Sequence, residues 1–123
     1  MVSSDIERLE VTTSYSDAVV YGGATVYLAG QVPENTGGQG ITEQTKDVLQ
    51  LIEQRLTAAG SDKSRILTAT IYLTNLERDY KSMNEVWNQW VPSGTAPART
   101  TVGVSNLVSS QWLLEITVTA ARK

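Results

Sequence analysis

The stretch SRILTATIYLTNL, residues 64–76, separates two segments with helical periodicity and decides how the chain folds. It is rich in β-branched residues, and its apolar positions are too mixed in period for a surface helix, which predicts a central β-strand. Before it, Thr42 can cap a helix that extends to about Ala59, and Gly60 is a natural C-terminal stop. The apolar positions of this first helix recur at three- and four-residue steps: Val48, Leu49, Ile52, Leu56 and Ala59.

A second helix is predicted directly after the strand. Asn75 can cap it through the backbone of Arg78, and Thr74 with Glu77 offers an alternative start. Pro92 ends it. Its apolar stripe consists of Tyr80, Met83, Trp87 and Trp90 or Val91. Each helix therefore has an apolar face that a β-sheet can cover.

Further strands are predicted on both sides of this central unit. AVVY and TVYLA, within residues 17–32, flank a Gly-Gly pair, which is a strong hairpin signal. IERLEV, residues 6–11, is a candidate edge strand. Two last strands are expected at about 99–105 and 112–120, joined by NLVSSQ.

The resulting order, β-β-(β)-α-β-α-β-β, indicates an α+β fold in a single domain over residues 1–123. The economical arrangement is one mixed sheet with both helices on the same face. The other face of that sheet would carry Val, Leu, Ile and Trp side chains with nothing over them. Because a bare apolar face usually marks assembly, we expect a homo-oligomer.

Composition excludes several kinds of chemistry. The chain has no cysteine and no histidine, which removes thiolate catalysis, Cys-ligated metals, Ser-His-Asp arrangements and the commonest metal ligand. With 13 acidic and 10 basic residues, it lacks the positive surface of a general nucleic-acid binder. No apolar run is long enough to cross a bilayer, and the start lacks a signal-peptide pattern, so we expect a cytoplasmic protein without a membrane partner.

Two charged residues interrupt the last two strands, in TAPARTTVGV (95–104) and WLLEITVTA (112–120). Strand alternation places Arg99 with Thr101 and Gly103 on one side of its strand. It places Glu115 on the opposite side of its strand from the apolar Leu114 and Ile116. If these strands form a hairpin, Thr101 faces Glu115 and Arg99 is its diagonal neighbour. Arg99 and Glu115 then either form a structural ion pair or line a pocket. In such a pocket the arginine binds a ligand carboxylate and the poorly solvated glutamate transfers protons.

The chain resembles the reactive-intermediate deaminase family, also called the YjgF-like or L-PSP endoribonuclease family. The resemblance covers nearly the whole length, and PART with its following strand, combined with LLEITVTA, carries it most specifically. It implies a chorismate-mutase-like fold assembled as a trimer with three clefts between subunits. It also implies hydrolysis of reactive enamines and imines, such as 2-aminoacrylate and its imine tautomer, to 2-keto acids and ammonia without a cofactor or metal.

The same resemblance implies roles for individual residues. Arg99 would hold the substrate carboxylate, and Glu115 would activate the attacking water and shuttle the proton. Tyr15 matches a tyrosine that lines the family pocket. Gly30 matches a glycine whose main chain contacts ligand, and Asn84 matches a helical asparagine near the cleft. Thr101, a further candidate for substrate contact, stands where cysteine or serine is frequent, which leaves the substrate range open.

Each assignment has a structural alternative. Tyr15 could pack at a strand start, Gly30 could serve a turn or bulge, and Asn84 could brace a loop. Gln31 could offer an amide to a ligand, although an exposed strand-end glutamine is the commoner case.

At the level of the protein, two other functions stay open. One is a ribonuclease, which the acidic charge disfavours. The other is a non-catalytic module that captures small carboxylates or 2-keto acids in the same cleft.

Overall fold

A computed structural model describes residues 5–123. Residues 1–4, the start of the domain expected over 1–123, lie outside the described residues. In chain order the elements are β1 (Ile6–Val11), β2 (Ser16–Tyr21), β3 (Thr25–Leu28), α1 (Ile41–Ala58), a short 3-10 turn (Lys63–Arg65), β4 (Ile66–Leu73), α2 (Leu76–Trp90), β5 (Ala98–Gly103) and β6 (Leu114–Ala121). This order confirms the predicted elements, including β1 as an edge strand.

The six strands form one mixed sheet in the order β1-β2-β3-β6-β4-β5. Every neighbouring pair is antiparallel except β4 and β5, which are parallel. The predicted hairpin between β2 and β3 is present. Its turn is made by Gly22 and Gly23 at φ values of 63° and 68°, which favour glycine at both positions.

The predicted hairpin between β5 and β6 is wrong. β5 pairs in parallel with β4, and β4 lies between β5 and β6. The reason is the α2 crossover: β4, α2 and β5 form a βαβ unit, in which the second strand returns parallel to the first. The antiparallel partner of β6 is therefore β4 on one side and β3 on the other.

Both helices pack on the same face of this sheet, as predicted. Along β6, Leu114, Ile116, Val118 and Ala120 are buried and alternate with half-buried residues. The buried row packs against Val48, Leu49, Ile52 and Leu56 of α1 and Met83 and Trp87 of α2. Alternate residues of every inner strand therefore point either into this core or toward the face opposite the helices, called the open face below.

The open face is more polar than the sequence predicted. It carries Thr117, Thr119, Tyr27 and Tyr72 rather than a row of Val, Ile and Trp, because the aliphatic side of β6 faces the helices. Tyr27 is 47% exposed. Among the described residues, no helix is long and apolar enough to span a membrane.

Helix ends match the predictions in three of four cases, and the end of α2 just before Pro92 is one of them. Asn75 caps α2, since its side chain accepts a hydrogen bond from the Arg78 backbone N–H at 3.1 Å. Gly60 follows α1 at a φ of 83°, as a C-terminal stop. The N-cap of α1 is Gly40 and not Thr42, which lies inside the first turn.

Candidate active site

A pocket of about 390 Å³ lies at one end of the open face, beside the start of β6. We call it the Glu115 pocket, and its walls include Tyr15, Gly30, Val108, Trp112 and Glu115. Tyr15 is 57% exposed and lies at the pocket wall. The backbone N–H and the hydroxyl of Thr12 both donate hydrogen bonds to the Tyr15 carbonyl, which closes the turn between β1 and β2. A second recess of about 400 Å³, lined by Tyr72, Leu107 and Thr117, adjoins it at Gly30 and Glu115. Glu115 thus stands at the border of both cavities.

Glu115 is half-buried, and its carboxylate is unpaired in the part of the chain that the structure describes. Within residues 5–123 no group donates a hydrogen bond to it and no cation lies within ion-pair distance. Burial raises the pKa of Glu115 above its ordinary value, because the charged form loses water that nothing replaces. The residue is therefore suited to exchanging protons closer to neutral pH than an exposed glutamate.

Gly30 provides the space that this carboxylate occupies. A Cβ at position 30 would overlap the Glu115 Oε2 atom. The next residue, Gln31, forms a backbone bridge with Ile116, with N···O distances of 2.7 and 3.0 Å, which holds Gly30 beside Glu115. Gly30 thus leaves the space into which the Glu115 side chain extends.

The expectation of an exposed Gln31 is wrong. Its side chain is buried, and its Nε2 donates to the Ala29 carbonyl at 3.0 Å, because the bridge to β6 carries this residue into the sheet.

Two other acids at the pocket wall are compensated. Arg55 of α1 lies 3.4 Å from Asp17 and 3.8 Å from Glu34, although its Nε lacks hydrogen-bond geometry to either. Both acids line the Glu115 pocket. Of these three carboxylates, Glu115 is therefore the one without a nearby cation. It is the one whose protonation state is most easily changed.

Arg99 lies in a second group of residues, which we call the Arg99 cluster: Arg99, Tyr80, Asn84 and Trp87. Its Nη1 donates to Asn84 Oδ1 at 2.7 Å, and its Nη2 donates to the Tyr80 hydroxyl at 3.0 Å. The guanidinium carbon lies 5.4 Å from the Trp87 ring centre and 5.9 Å from that of Tyr80. Such contacts fix an arginine in place and leave N–H groups for a ligand. Among the described residues Arg99 forms no ion pair.

Thr101 follows Arg99 on the same side of β5. Its Oγ is buried and has no hydrogen-bond partner among the described residues. A buried hydroxyl without a partner is uncommon in proteins. Thr101 and Asn84 therefore both lie with Arg99.

The two groups lie on opposite faces of the sheet within one chain. Arg99 is in register with Ala69 and so points to the helix side, whereas Glu115 is in register with Tyr72 on the open face. The predicted diagonal contact between Arg99 and Glu115 is wrong for the same reason as the hairpin, since β4 separates their strands. The structure therefore also rules out a direct ion pair of these two residues within one chain.

Sequence reasoning did not assign Tyr80 and Trp87 to the Arg99 cluster or Trp112 to the Glu115 pocket. A signal for the first two exists: Tyr80, Asn84 and Trp87 follow one another at four- and three-residue steps on one face of α2. The position of Trp112 depends on the loop before β6 and has no such local signal. Among residues 5–123 no group of three or more His, Cys, Asp or Glu side chains could hold a metal ion.

Comparison with known proteins identifies the family. The family model described as Endoribonuclease L-PSP matches residues 5–122. The RutC family protein of Haemophilus ducreyi is 40% identical over 116 residues, which cover 94% of this chain and 96% of that protein. The RutC family protein YoaB of Escherichia coli K12 is 39% identical over 116 residues, 94% of this chain and 97% of that protein.

Solved structures agree with this identification. A member of the YjgF protein family from Neisseria meningitidis superposes with a TM-score of 0.91 at 41% identity, covering 97% of this chain and 96% of that one. The chain belongs to the reactive-intermediate deaminase family, the YjgF-like or L-PSP family that its motifs indicated. Its two helices on a mixed six-stranded sheet are the α+β, chorismate-mutase-like fold expected from that resemblance.

Proposed function

We propose that this protein hydrolyses reactive enamine and imine intermediates of the 2-aminoacrylate and 2-iminopropanoate type to 2-keto acids and ammonia. The observation that carries the proposal is Glu115, a half-buried carboxylate with a raised pKa and no partner within residues 5–123. It faces a pocket large enough for such a molecule. Family membership supports the same class of chemistry. The reaction consumes only water, so it requires no cofactor.

Glu115 can serve each proton transfer in turn. The protonated carboxyl first gives its proton to the terminal carbon of the enamine or to the imine nitrogen, and either transfer produces the iminium ion. The carboxylate then takes a proton from water as the oxygen attacks the iminium carbon. It returns that proton to nitrogen, and the carbon–nitrogen bond breaks to release ammonia. The carboxylate takes the remaining hydroxyl proton as the carbonyl forms, which restores the protonated carboxyl. General acid–base catalysis of this kind typically contributes about 10²–10⁴-fold.

Arg99 would hold the substrate carboxylate. A guanidinium offers two parallel N–H donors to a carboxylate, and those that Asn84 and Tyr80 do not use are available for this. Thr101 would add a hydroxyl contact from the same strand. Tyr15 and the main chain at Gly30 would contact the substrate on the Glu115 side.

These roles require a second copy of the chain. Because Arg99 and Glu115 face opposite sides of one sheet, a shared cleft forms only if the Arg99 cluster of one subunit meets the Glu115 pocket of another. We propose a homotrimer with three such clefts. The exposed Tyr15, Tyr27 and Val108 on the side of the Glu115 pocket favour coverage by a neighbouring subunit.

The proposal is tested by releasing imines in solution with an amino-acid oxidase and measuring ammonia formation with and without the protein. Wild type is expected to accelerate ammonia release. Glu115→Gln, which keeps the shape of the side chain and removes its proton chemistry, is expected to lose about 10²-fold or more in kcat. Glu85→Gln, a change at an exposed site on α2, is the matched control and should behave as wild type.

Calorimetry with pyruvate separates catalysis from binding. Glu115→Gln is expected to bind pyruvate as wild type does, since Arg99 is intact. Pyruvate binding by wild type without imine hydrolysis would overturn the proposal in favour of a binding module. RNA cleavage that is lost with Arg99→Ala would instead favour a ribonuclease.

A further inference from the structure

Gln44 is a fully buried polar side chain that the proposed chemistry does not use. It lies in the first turn of α1 and is 0% exposed. Its Nε2 donates to two carbonyl oxygens, those of Gln39 and Gln111, each at 2.9 Å. Its Oε1 accepts from the Leu113 backbone N–H at 2.7 Å. One amide thus binds backbone groups of two loops that are distant in sequence.

Both loops contribute to the lining of the Glu115 pocket. Residues 32–40 contribute Val32 and Glu34, and residues 104–113 contribute Val108 and Trp112. The loops also contact each other directly, since the Gly38 N–H donates to the Gln111 carbonyl at 3.0 Å. Gln44 therefore lies at the junction of the pocket walls.

Leu113 connects this junction to the reactive carboxylate. Its N–H is held by Gln44, and its carbonyl accepts from the Thr74 backbone N–H at 3.1 Å. The residue before it, Trp112, lines the pocket, and Glu115 follows two positions later. Fixing both polar groups of Leu113 fixes the direction in which the chain enters β6.

The opposite loop has an independent attachment. Asp47, one turn further along α1, accepts hydrogen bonds from the Asn35 N–H at 2.8 Å, the Asn35 side-chain amide at 3.1 Å and the Thr36 hydroxyl at 2.9 Å. Loss of the Gln44 amide would therefore leave residues 35–36 in place. It would loosen chiefly the 104–113 side, which keeps the backbone hydrogen bonds of Gln111 with Gly38 and of Leu113 with Thr74. The expected displacement is at Trp112 and Glu115.

We propose that Gln44 is a positioning residue for Glu115, which sets the pocket wall and the placement of the carboxylate through Leu113. Its effect on turnover rests on the proposed function, whereas its effect on the placement of Glu115 does not. A purely structural Gln44 would lower stability and leave the chemistry of the folded protein unchanged. A positioning Gln44 changes kcat and its pH dependence in protein that is fully folded.

The test compares Gln44→Met, which keeps the side-chain length and removes all three hydrogen bonds, with Gln50→Met on the exposed side of the same helix. In folded protein, kcat of Gln44→Met is expected to fall about 10-fold or more, since small displacements of reacting groups cost up to about 10²-fold. Its pH profile should also shift, and Gln50→Met should match wild type. Equal kcat values and pH profiles for the two variants would overturn the proposal.

Two measurements keep the test decisive. If Gln44→Met does not fold, Gln44→Asn takes its place, because it keeps an uncharged amide that is one methylene shorter and cannot hold all three backbone groups. Wild-type kcat and pH profile in that variant would contradict the proposal. In wild type the Leu113 amide should exchange slowly with deuterium, and exchange at the rate of exposed loop amides would contradict it. If wild type shows no imine hydrolysis, the proposed function fails, but NMR titration of the Glu115 carboxyl in Gln44→Met and Gln50→Met still tests the positioning role.

Discussion

The Glu115 pocket and the Arg99 cluster hold their charged groups in opposite ways. Glu115 has no hydrogen-bond or ion-pair partner within residues 5–123, and it is positioned by backbone bridging and by the space above Gly30. Arg99 is held by two hydrogen bonds and lies against two aromatic rings. An unpaired acid is free to change protonation, whereas a braced cation is fixed in position. This contrast fits the proposed roles, in which Glu115 transfers protons and Arg99 binds the substrate.

Arg99→Lys tests substrate binding by the Arg99 cluster. Lysine keeps the charge but lacks the fork geometry for a carboxylate and loses the contacts with Asn84 and Tyr80. Loss of a charge-assisted bidentate contact should raise KM for carboxylated imines by about 10- to 100-fold. Arg8→Lys, at an exposed position of β1, is the control. An unchanged KM would show that Arg99 does not bind substrate.

Gly30→Ala tests the placement of the Glu115 carboxylate without changing any charge. The added methyl group overlaps the Glu115 carboxylate and forces it to move. We expect kcat to fall about 10-fold, by displacement of the proton-transferring group. At Gly40, by contrast, a Cβ meets no atom within 4 Å, so Gly40→Ala is the matched control. Equal kcat values in the two variants would mean that the placement of Glu115 is not critical.

Tyr80→Phe tests how far the Arg99 cluster depends on the hydrogen bond from Arg99 to the Tyr80 hydroxyl. It removes the hydroxyl that accepts from Arg99 and keeps the aromatic ring. Because Asn84 still holds the guanidinium, KM should rise by only about two- to fivefold, as for a single exposed hydrogen bond. Tyr21→Phe, at an exposed tyrosine of β2, is the control. An effect as large as that of Arg99→Lys would show that Tyr80 itself contacts the substrate.

The smallest effect concerns stability against pH. Folded Glu115 keeps its proton to a higher pH than in the unfolded chain, because burial raises its pKa. Between the pKa of Glu115 in the unfolded chain and its pKa in the folded chain, the folded state therefore binds more protons. Stability falls as the pH rises through this range. Glu115→Gln should thus gain stability relative to wild type as the pH rises above the ordinary glutamate pKa, because the glutamine has no proton to lose. Urea unfolding at fixed protein concentration measures the difference, and a pH-independent difference would contradict the raised pKa.

Local signals predicted most of the fold. The Gly-Gly turn of β2 and β3, the Asn75 cap of α2 and the stop at Gly60 all depend on residues close in sequence. Strand alternation correctly separated Glu115 from the buried Leu114 and Ile116. Alternation assigns faces within one strand, however, and does not say which strand lies next to it. The pairing of β5 with β4 depends on the α2 crossover, and the position of Arg99 relative to Glu115 depends on that pairing.

The motifs identified the candidate site residues, but their grouping required the structure. Tyr15 and Gly30 lie with Glu115, whereas Asn84 and Thr101 lie with Arg99. Trp112 and the Gln44 junction depend on contacts between loops that are more than sixty positions apart. No spacing within a single segment contains that information.

The central claim is that one catalytic cleft combines Glu115 of one subunit with Arg99 of another. Mixing subunits tests it most directly. Glu115→Gln and Arg99→Ala proteins, each expected to have low activity alone, are unfolded, combined in equal amounts and refolded together, and ammonia release is measured. If clefts are shared around a closed ring, random assembly restores intact pairs in about a quarter of them, and activity should recover to about that fraction of wild type. A mixture no more active than its two parents would contradict a shared site.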